Sequence, residues 1–162
     1  MKYKIYDDYL NNLLFEKIKN VLNSNVFPWY IQSHITGLEK DNNYNYYFAH
    51  TFFDNEKINS DYFHLWEELI LKTKIKKLIR IKANLYNKTE NIIEHTKHTD
   101  YDFNGKTSIY YINTNNGYTN LDNKINVKSI KNRFLIFNNN IPHNSTTCTD
   151  EKYRLTVVIN YI

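Results

Sequence analysis

Three histidine and aspartate side chains in the second half of the sequence could hold a metal ion. His98 and Asp100 are separated by one residue, and His143 follows a proline much later in the chain. In an extended strand, residues i and i+2 point to the same side, so an imidazole nitrogen and a carboxylate oxygen can approach one cation. Two histidines and one carboxylate form the facial ligand set that holds Fe(II) and leaves other coordination positions open. A His-x-Asp triplet also occurs by chance, so the spacing alone leaves an incidental arrangement open.

Arg154 could add an anion-binding group to this set. It lies in a late apolar segment, with Thr156 on the same side of the predicted strand. If Asp150 and Glu151 turn a hairpin, Arg154 lies roughly 13 Å along the ladder from His143, a gap that a metal-bound five-carbon dicarboxylate could span. An arginine in a desolvated pocket requires an anion. The alternative is a surface arginine paired with Asp150 or Glu151.

Other potential ligands in the sequence are weaker candidates. Asp102 would share the face of a continuing strand with Asp100, but the shorter spacing from His98 favours Asp100. His95 is three residues before His98, which turns it to the opposite side of a strand, so we expect it to face solvent. Cys148 is the single cysteine, which excludes an internal disulfide and a cysteine-based zinc site.

Two helices are predicted in the first half of the chain. Apolar residues recur at helical spacing after Asp7 or Asp8, the expected N-caps, up to about Leu22. A second helix is expected to begin at Ser60 or Asp61 and to end in a lysine cluster, and a polar connection separates the two helices. The apolar positions of the first helix are Leu10, Leu13, Leu14, Ile18, Val21 and Leu22.

Short strands are predicted from residue 75 onward. Apolar residues from Ile79 to Leu85 alternate with polar ones, the period of a strand. Turn signals such as Asn104-Gly105 separate the later segments. Further strands are expected at about 92–97, 106–113, 117–121, 125–129, 133–137, 143–147 and 153–161. Strands without intervening helices predict a double-sheet jelly roll or a small barrel, with the two helices covering one sheet.

The length and composition of the sequence indicate one folded domain. The chain has 162 residues, of which 41% are hydrophobic, and we expect a single domain over 1–162, with helical support at about 1–74 and a β core at about 75–162. The net charge of +4 comes from scattered lysines, which argues against a nucleic-acid partner. Because the sequence has no long apolar run and no signal-peptide pattern, we expect no membrane partner and a cytoplasmic location.

Five short motifs follow one another in the second half. They are His98-Thr99-Asp100, Thr107 to Asn113, Asn132 to Phe137, Pro142-His143 and Tyr153 to Thr156. In order and spacing this set resembles the 2-oxoglutarate and Fe(II)-dependent dioxygenases of the prolyl-hydroxylase-like branch. The segments Phe27 to Tyr30 and Arg80 to Tyr86 resemble small uncharacterised oxygenases of marine bacteria and their phages. The similarity covers about residues 75–162 and is weaker over the first half.

The resemblance implies an α+β protein built on a double-stranded β-helix, a cupin-like jelly roll, with the N-terminal helices packed on the major sheet. Its iron ligands would be His98, Asp100 and His143. Arg154 would pair with the distal carboxylate of 2-oxoglutarate, and Tyr111 would donate a hydrogen bond to the same carboxylate. The residues that match the cosubstrate pocket are Arg154, Tyr111, Thr156 and Tyr86.

The implied reaction is hydroxylation of a peptide side chain or a small molecule by O2, with release of succinate and CO2. The implied cofactors are Fe(II) and 2-oxoglutarate, with ascorbate as an optional addition, while the prime substrate and the oligomeric state stay open. Collagen-type prolyl 4-hydroxylases have lysine at the Arg154 position, which argues against a collagen-like substrate. Asp100 leaves no vacant position for a halide, which disfavours a halogenase. The alternatives are a cupin-like metal-binding jelly roll with non-oxidative chemistry and a non-catalytic jelly-roll binding module.

Overall fold

The computed structural model describes residues 3–34 and 46–162. No helix within these ranges is long and apolar enough to cross a bilayer. In chain order the elements are β1 Tyr3–Tyr6, α1 Asn12–Leu22, β2 Tyr30–Gln32, β3 Tyr47–Asp54, β4 Lys57–Ile58, a 3-10 helix Asp61–Trp66, α2 Glu67–Thr73, β5 Leu78–Asn87, β6 Lys106–Tyr111, β7 Tyr118–Leu121, β8 Ile125–Lys128, β9 Arg133–Asn138, β10 His143–Ser145 and β11 Tyr153–Tyr161.

The strands form two antiparallel sheets. The large sheet has the order β1-β9-β6-β11-β5-β3-β2, with β4 paired to β3, and the small sheet has the order β10-β7-β8. Isolated bridges at Glu94 and His98 attach the segment between β5 and β6 to the β10 side of the small sheet. Apolar residues from both sheets, such as Ile109 and Leu121, pack into one cluster between them. The predicted α+β jelly roll is therefore confirmed.

The helices cover the outer face of the large sheet, as predicted. Phe15 of α1 and Leu69 of α2 are fully buried in one core with alternate residues of the central strands, including Ile81 of β5 and Val157 of β11. The intervening residues of β5 and β11 point to the opposite, inner face. This arrangement leaves the inner face of the large sheet available for polar side chains.

The first helix begins later than predicted. Asp7 and Asp8 follow β1, and the N-cap is Asn11, whose side chain accepts a hydrogen bond from the amide three residues on at 2.9 Å. Leu13 was expected on the buried face but is 85% exposed. It lies about 200° around the helix from the buried Phe15, because an α-helix has about 3.6 residues per turn.

Ser60 caps the second helical segment, as predicted. Its hydroxyl accepts a hydrogen bond from the Tyr62 amide at 3.1 Å. The segment starts as the 3-10 helix, becomes α-helical at Glu67, and ends at Lys74 in the left-handed conformation. The lysines that follow lead directly into β5.

Three expectations for the strands are wrong. The polar connection between the helices contains β3, a long strand paired with β5 in the large sheet. Segment 92–97 is not a regular strand, because only scattered backbone groups such as the Ile93 and His95 amides bond to the β10 side. The expected hairpin ladder between His143 and Arg154 does not form, because β10 and β11 belong to different sheets.

Candidate metal and anion site

His98, Asp100 and His143 lie together at a cavity between the two sheets. Their ligand atoms are all within 4.8 Å of one another. Asp100 Oδ1 is 3.7 Å from His98 Nε2 and 3.8 Å from His143 Nε2. Bonds of about 2.1 Å to one ion would place neighbouring ligand atoms about 3 Å apart, so shifts of less than about 1 Å would close the three atoms around a metal.

The backbone brings the two histidines side by side. His98 and His143 form an antiparallel bridge, with backbone N–H to carbonyl distances of 3.0 and 2.8 Å. Directly opposed residues in an antiparallel pair extend their side chains to the same face. The imidazole centroids are accordingly 4.6 Å apart.

Backbone carbonyls fix the tautomer of both imidazoles. His143 Nδ1 is 3.0 Å from the Ile141 carbonyl oxygen, and His98 Nδ1 is 3.2 Å from that of Thr96. A carbonyl oxygen only accepts, so each Nδ1 carries a hydrogen, and in the neutral ring Nε2 then has the lone pair. The two Nε2 atoms are therefore available to bind a cation, and the hydrogen bonds at Nδ1 fix the orientation of both rings.

Asp100 is oriented by two residues of the large sheet. Its Oδ2 accepts hydrogen bonds from Thr107 Oγ1 at 2.7 Å and from Asn160 Nδ2 at 2.8 Å. Thr107 and Asn160 are direct partners in the β6–β11 ladder, so their positions are fixed by strand register. With Oδ2 engaged, Oδ1 faces the imidazoles and the Arg80 guanidinium, which is 3.7 Å away.

The electrostatics keep the Asp100 carboxylate charged and favour the neutral form of His143. Burial alone would raise the pKa of Asp100, but electrostatic interaction with His143 and Arg80 and the hydrogen bonds from Thr107 and Asn160 lower it. Burial lowers the pKa of His143, although the Asp100 charge opposes that shift. One carboxylate oxygen and two neutral imidazole nitrogens are a donor set that fits Fe(II) and similar divalent metals.

Arg154 is a fully buried cation with neutral partners. Its Nε donates to Ser129 Oγ at 2.8 Å, and its Nη2 donates to Thr119 Oγ1 at 3.0 Å. Its Nη1 donates to Ser145 Oγ and, at 3.4 Å, to the Thr146 carbonyl. Burial lowers its pKa, yet an arginine stays charged in proteins. The alternative of a surface arginine is wrong, because none of the side chain is exposed.

Thr119 connects Arg154 to Tyr111. Its hydroxyl oxygen accepts hydrogen bonds from Arg154 Nη2 and, at 2.9 Å, from the Tyr111 hydroxyl. Because its oxygen accepts twice, the Thr119 hydroxyl has its own hydrogen left to donate into the cavity that it lines. Thr119, Ser129 and Ser145 are not predicted from the sequence, since isolated hydroxyl residues belong to no recognisable motif.

The cavity between the sheets has a volume of about 350 Å³. Tyr86, the direct strand partner of Arg154, lines it, and its ring centroid is 5.9 Å from the guanidinium carbon. Thr156 lies on the same wall. The lining residues are Tyr47, Arg80, Lys82, Asn84, Tyr86, His98, Thr99, Asp100, Ile109, Thr119, His143, Ser145, Arg154, Thr156 and Val158. One cavity therefore contains the three candidate ligands and the buried cation.

His95 does not face solvent, contrary to expectation. It is buried, and its ring lies 4.8 Å from that of Tyr86. The strand alternation used to place it does not apply, because segment 92–97 is irregular. His95 and Tyr86 line a second depression of about 580 Å³, which contains none of the three candidate ligands.

Comparison with protein-family models finds no match, and neither does comparison with curated protein sequences. Solved structures do match. The viral collagen prolyl hydroxylase of Paramecium bursaria Chlorella virus-1, in a 2OG complex, is 13% identical with a TM-score of 0.66, and the match covers 100% of this chain and 97% of that one. A prolyl hydroxylase from Trichoplax adhaerens, in complex with a hypoxia inducible factor peptide fragment, is 14% identical with a TM-score of 0.69 over 99% of this chain and 83% of that one.

A third similar structure is an oxidoreductase of the 2OG-Fe(II) oxygenase family from Burkholderia pseudomallei. It is 10% identical with a TM-score of 0.70, and the match covers 98% of this chain and 84% of that one. The chain has the fold of the 2OG-Fe(II) oxygenases. The fold that the motifs predicted is thus confirmed, and at these identities the likeness concerns the 2OG oxygenase fold alone.

Proposed function

We propose that this chain is a non-haem Fe(II)- and 2-oxoglutarate-dependent dioxygenase that hydroxylates a peptide side chain or a small molecule. The observation that carries the proposal is the content of one cavity. It combines a facial His-Asp-His set, in which both imidazoles present Nε2, with a buried arginine whose described partners are all neutral. A redox metal and a dicarboxylate cosubstrate together require both features.

His98 Nε2, Asp100 Oδ1 and His143 Nε2 would hold the metal on one side. Fe(II) with 2-oxoglutarate and O2 supplies the oxidation of a C–H bond, coupled to release of succinate and CO2. The protein orients the three ligands by hydrogen bonds. The backbone carbonyls of Thr96 and Ile141 bond to the two imidazoles, and the side chains of Thr107 and Asn160 bond to the carboxylate.

Arg154 would bind the distal carboxylate of 2-oxoglutarate. A buried arginine without a carboxylate is unfavourable unless an anion joins it, and a carboxylate would supply that charge. Thr119 would add its hydroxyl hydrogen, Tyr111 would support Thr119, and Thr156 and Tyr86 would form the wall beside the cosubstrate.

The prolyl-hydroxylase-like assignment rests on fold and motif order together. The Trichoplax protein of the same fold is seen with a peptide fragment, so a peptide side chain is one substrate class that we propose here. A small molecule is the other. Arg154 distinguishes this chain from collagen-type enzymes with lysine at that position, so a collagen-like peptide is not the first choice.

The test is conversion of 2-oxoglutarate to succinate by the purified protein with Fe(II), with and without ascorbate. Wild-type protein should form succinate even without prime substrate, at a slow rate, and His143→Ala and Asp100→Ala should abolish it because each removes a metal ligand. His64→Ala, an exposed histidine in the 3-10 helix, is the matched control and should keep wild-type activity.

Two negative results would each support one of the alternative functions. Stoichiometric metal binding without any consumption of 2-oxoglutarate would replace the proposal with cupin-like, non-oxidative metal chemistry. Absence of both metal binding and 2-oxoglutarate binding would leave a non-catalytic binding module.

A further inference from the structure

Lys82 is a cation in the cavity that the proposed metal and cosubstrate do not use. It lies on the inner face of β5, on the same face as Arg80 and Asn84, and it lines the cavity. Its Nζ donates to the Tyr47 hydroxyl at 2.8 Å and lies 5.2 Å from the centre of that ring. Within 3–34 and 46–162, Arg80 has Asp100 as an ion-pair partner, whereas Lys82 has no carboxylate within 4.0 Å.

The charges of the cavity do not balance. Its lining carries three cations, Arg80, Lys82 and Arg154, and one carboxylate, Asp100. A divalent metal and a dianionic cosubstrate would cancel each other, so the loaded cavity would keep an excess of positive charge. These charges leave a net excess of two positive charges. When the distal carboxylate is paired with Arg154 and Asp100 with Arg80, one of them stays on the metal and its bound carboxylate and the other stays on Lys82.

We propose that Lys82 binds an oxyanion of the prime substrate, a carboxylate or a phosphate, and so selects anionic substrates. The proposal rests on the proposed function, because it takes the metal and 2-oxoglutarate to occupy the other charged groups. Tyr47 positions the ammonium: it accepts one of the three N–H groups and leaves the other two for the ligand. A partly desolvated ammonium attracts an oxyanion more strongly than the same group in bulk water does.

The ionisation of Lys82 supports this role. Burial, with the Arg80 charge acting in the same direction and Asp54 opposing, lowers the pKa of Lys82 to about 8. The titratable and charged groups that face it are Arg80 on its own strand and Asp54 and Tyr47 on β3, while its β11 neighbour Val158 carries none. The amine is charged at neutral pH, and anion binding should weaken as pH rises through about 8.

The experiment uses anaerobic protein loaded with Mn(II) and saturating 2-oxoglutarate, and calorimetry measures the binding of matched probes. One pair is N-acetylalanine and N-acetylalaninamide, and the other is the N-acetyl amide of O-phosphoserine and that of serine. We expect at least one anionic probe to bind about tenfold or more tightly than its neutral counterpart. A preference confined to the first pair identifies a carboxylate, and one confined to the second identifies a phosphate.

Variants assign the preference to Lys82. Lys82→Met should reduce it to less than about threefold, Lys82→Arg should retain most of it, and Lys77→Met, an exposed lysine outside the cavity, should leave it unchanged. Mn(II) and 2-oxoglutarate affinities should stay within about twofold of wild type in all three. Lys82→Arg keeps the test interpretable if the methionine variant does not fold.

Three results would overturn the proposal. The anionic and neutral probes could bind equally, or not at all; the preference could survive in Lys82→Met; or Lys82→Met could weaken 2-oxoglutarate binding, which would assign Lys82 to the cosubstrate instead. A wild-type protein that binds neither Mn(II) nor 2-oxoglutarate would instead contradict the proposed function. In that case inorganic phosphate binding to metal-free wild type and Lys82→Met would decide whether Lys82 binds anions.

Discussion

Replacing Arg154 by methionine should separate cosubstrate binding from metal binding. Methionine keeps much of the length of the side chain and removes the charge at a position with no exposed surface. None of the described partners of the guanidinium is a candidate metal ligand. We therefore expect 2-oxoglutarate affinity to fall sharply while metal affinity without cosubstrate stays within about twofold of wild type.

The size of the effect follows from the contacts of the guanidinium. Arginine has five N–H groups, and four of them already donate to protein oxygens. A carboxylate would thus receive one N–H from Arg154, with the Thr119 hydroxyl beside it, rather than a full planar fork. Deleting one partner of a desolvated charge pair costs about 2 to 5 kcal/mol. The lower end applies here, so the dissociation constant of 2-oxoglutarate should rise by about thirtyfold.

The assay is titration of 2-oxoglutarate into anaerobic Fe(II) protein, followed by the metal-to-ligand charge-transfer band. Arg133→Met is the matched control, because Arg133 pairs with Asp7 at 2.6 Å and does not line the cavity. It should bind 2-oxoglutarate like wild type. Equal affinity in wild type and Arg154→Met would refute the assigned anion pocket, and an equal loss in both variants would show a general effect of removing arginine.

Three further predictions concern residues around the site and in the core. Thr107→Val removes one of the two hydrogen bonds to the Asp100 carboxylate and should weaken metal binding about tenfold in a chelator competition assay. Ser108→Ala, at the neighbouring position of the strand, is the control, and an equally large loss there would indicate general damage to the fold. Gly117→Ala would place a Cβ 2.6 Å from Arg154 Cδ, so both 2-oxoglutarate affinity and melting temperature should fall; an unchanged protein would contradict this packing. Burial lowers the pKa of His50 below its usual 6.5, so the unfolded state takes up the proton first and the free energy of unfolding should decrease as pH falls below about 6.5. His50→Gln should flatten that dependence in denaturant titrations, and parallel curves would show that another group causes it.

The sequence predicts β5 well because one face of this strand is apolar and the other is polar. Ile81 and Ala83 contact the helices while Lys82 and Asn84 face the cavity, so apolar and polar residues alternate in the sequence. The strand β3 lacks this alternation, because Ala49 and His50 are both buried and the strand is covered on two sides. Apolar runs of that kind do not reveal their period.

The candidate ligands could be predicted because their chemistry is carried by the residue type. Their supporting groups could not. Thr107 and Asn160 reach Asp100 because β6 and β11 pair in one register, and Ser129 reaches Arg154 across the fold. Such contacts depend on long-range strand pairing, which one sequence does not specify for common hydroxyl and amide residues.

Anomalous diffraction from crystals grown anaerobically with Mn(II) and 2-oxoglutarate would show whether the three candidate ligands bind a metal beside the cosubstrate. We predict one manganese peak bonded to His98 Nε2, Asp100 Oδ1 and His143 Nε2, with the cosubstrate chelating the metal and its distal carboxylate on Arg154. A peak bonded to other residues, or a metal at this site with 2-oxoglutarate bound away from Arg154, would contradict it.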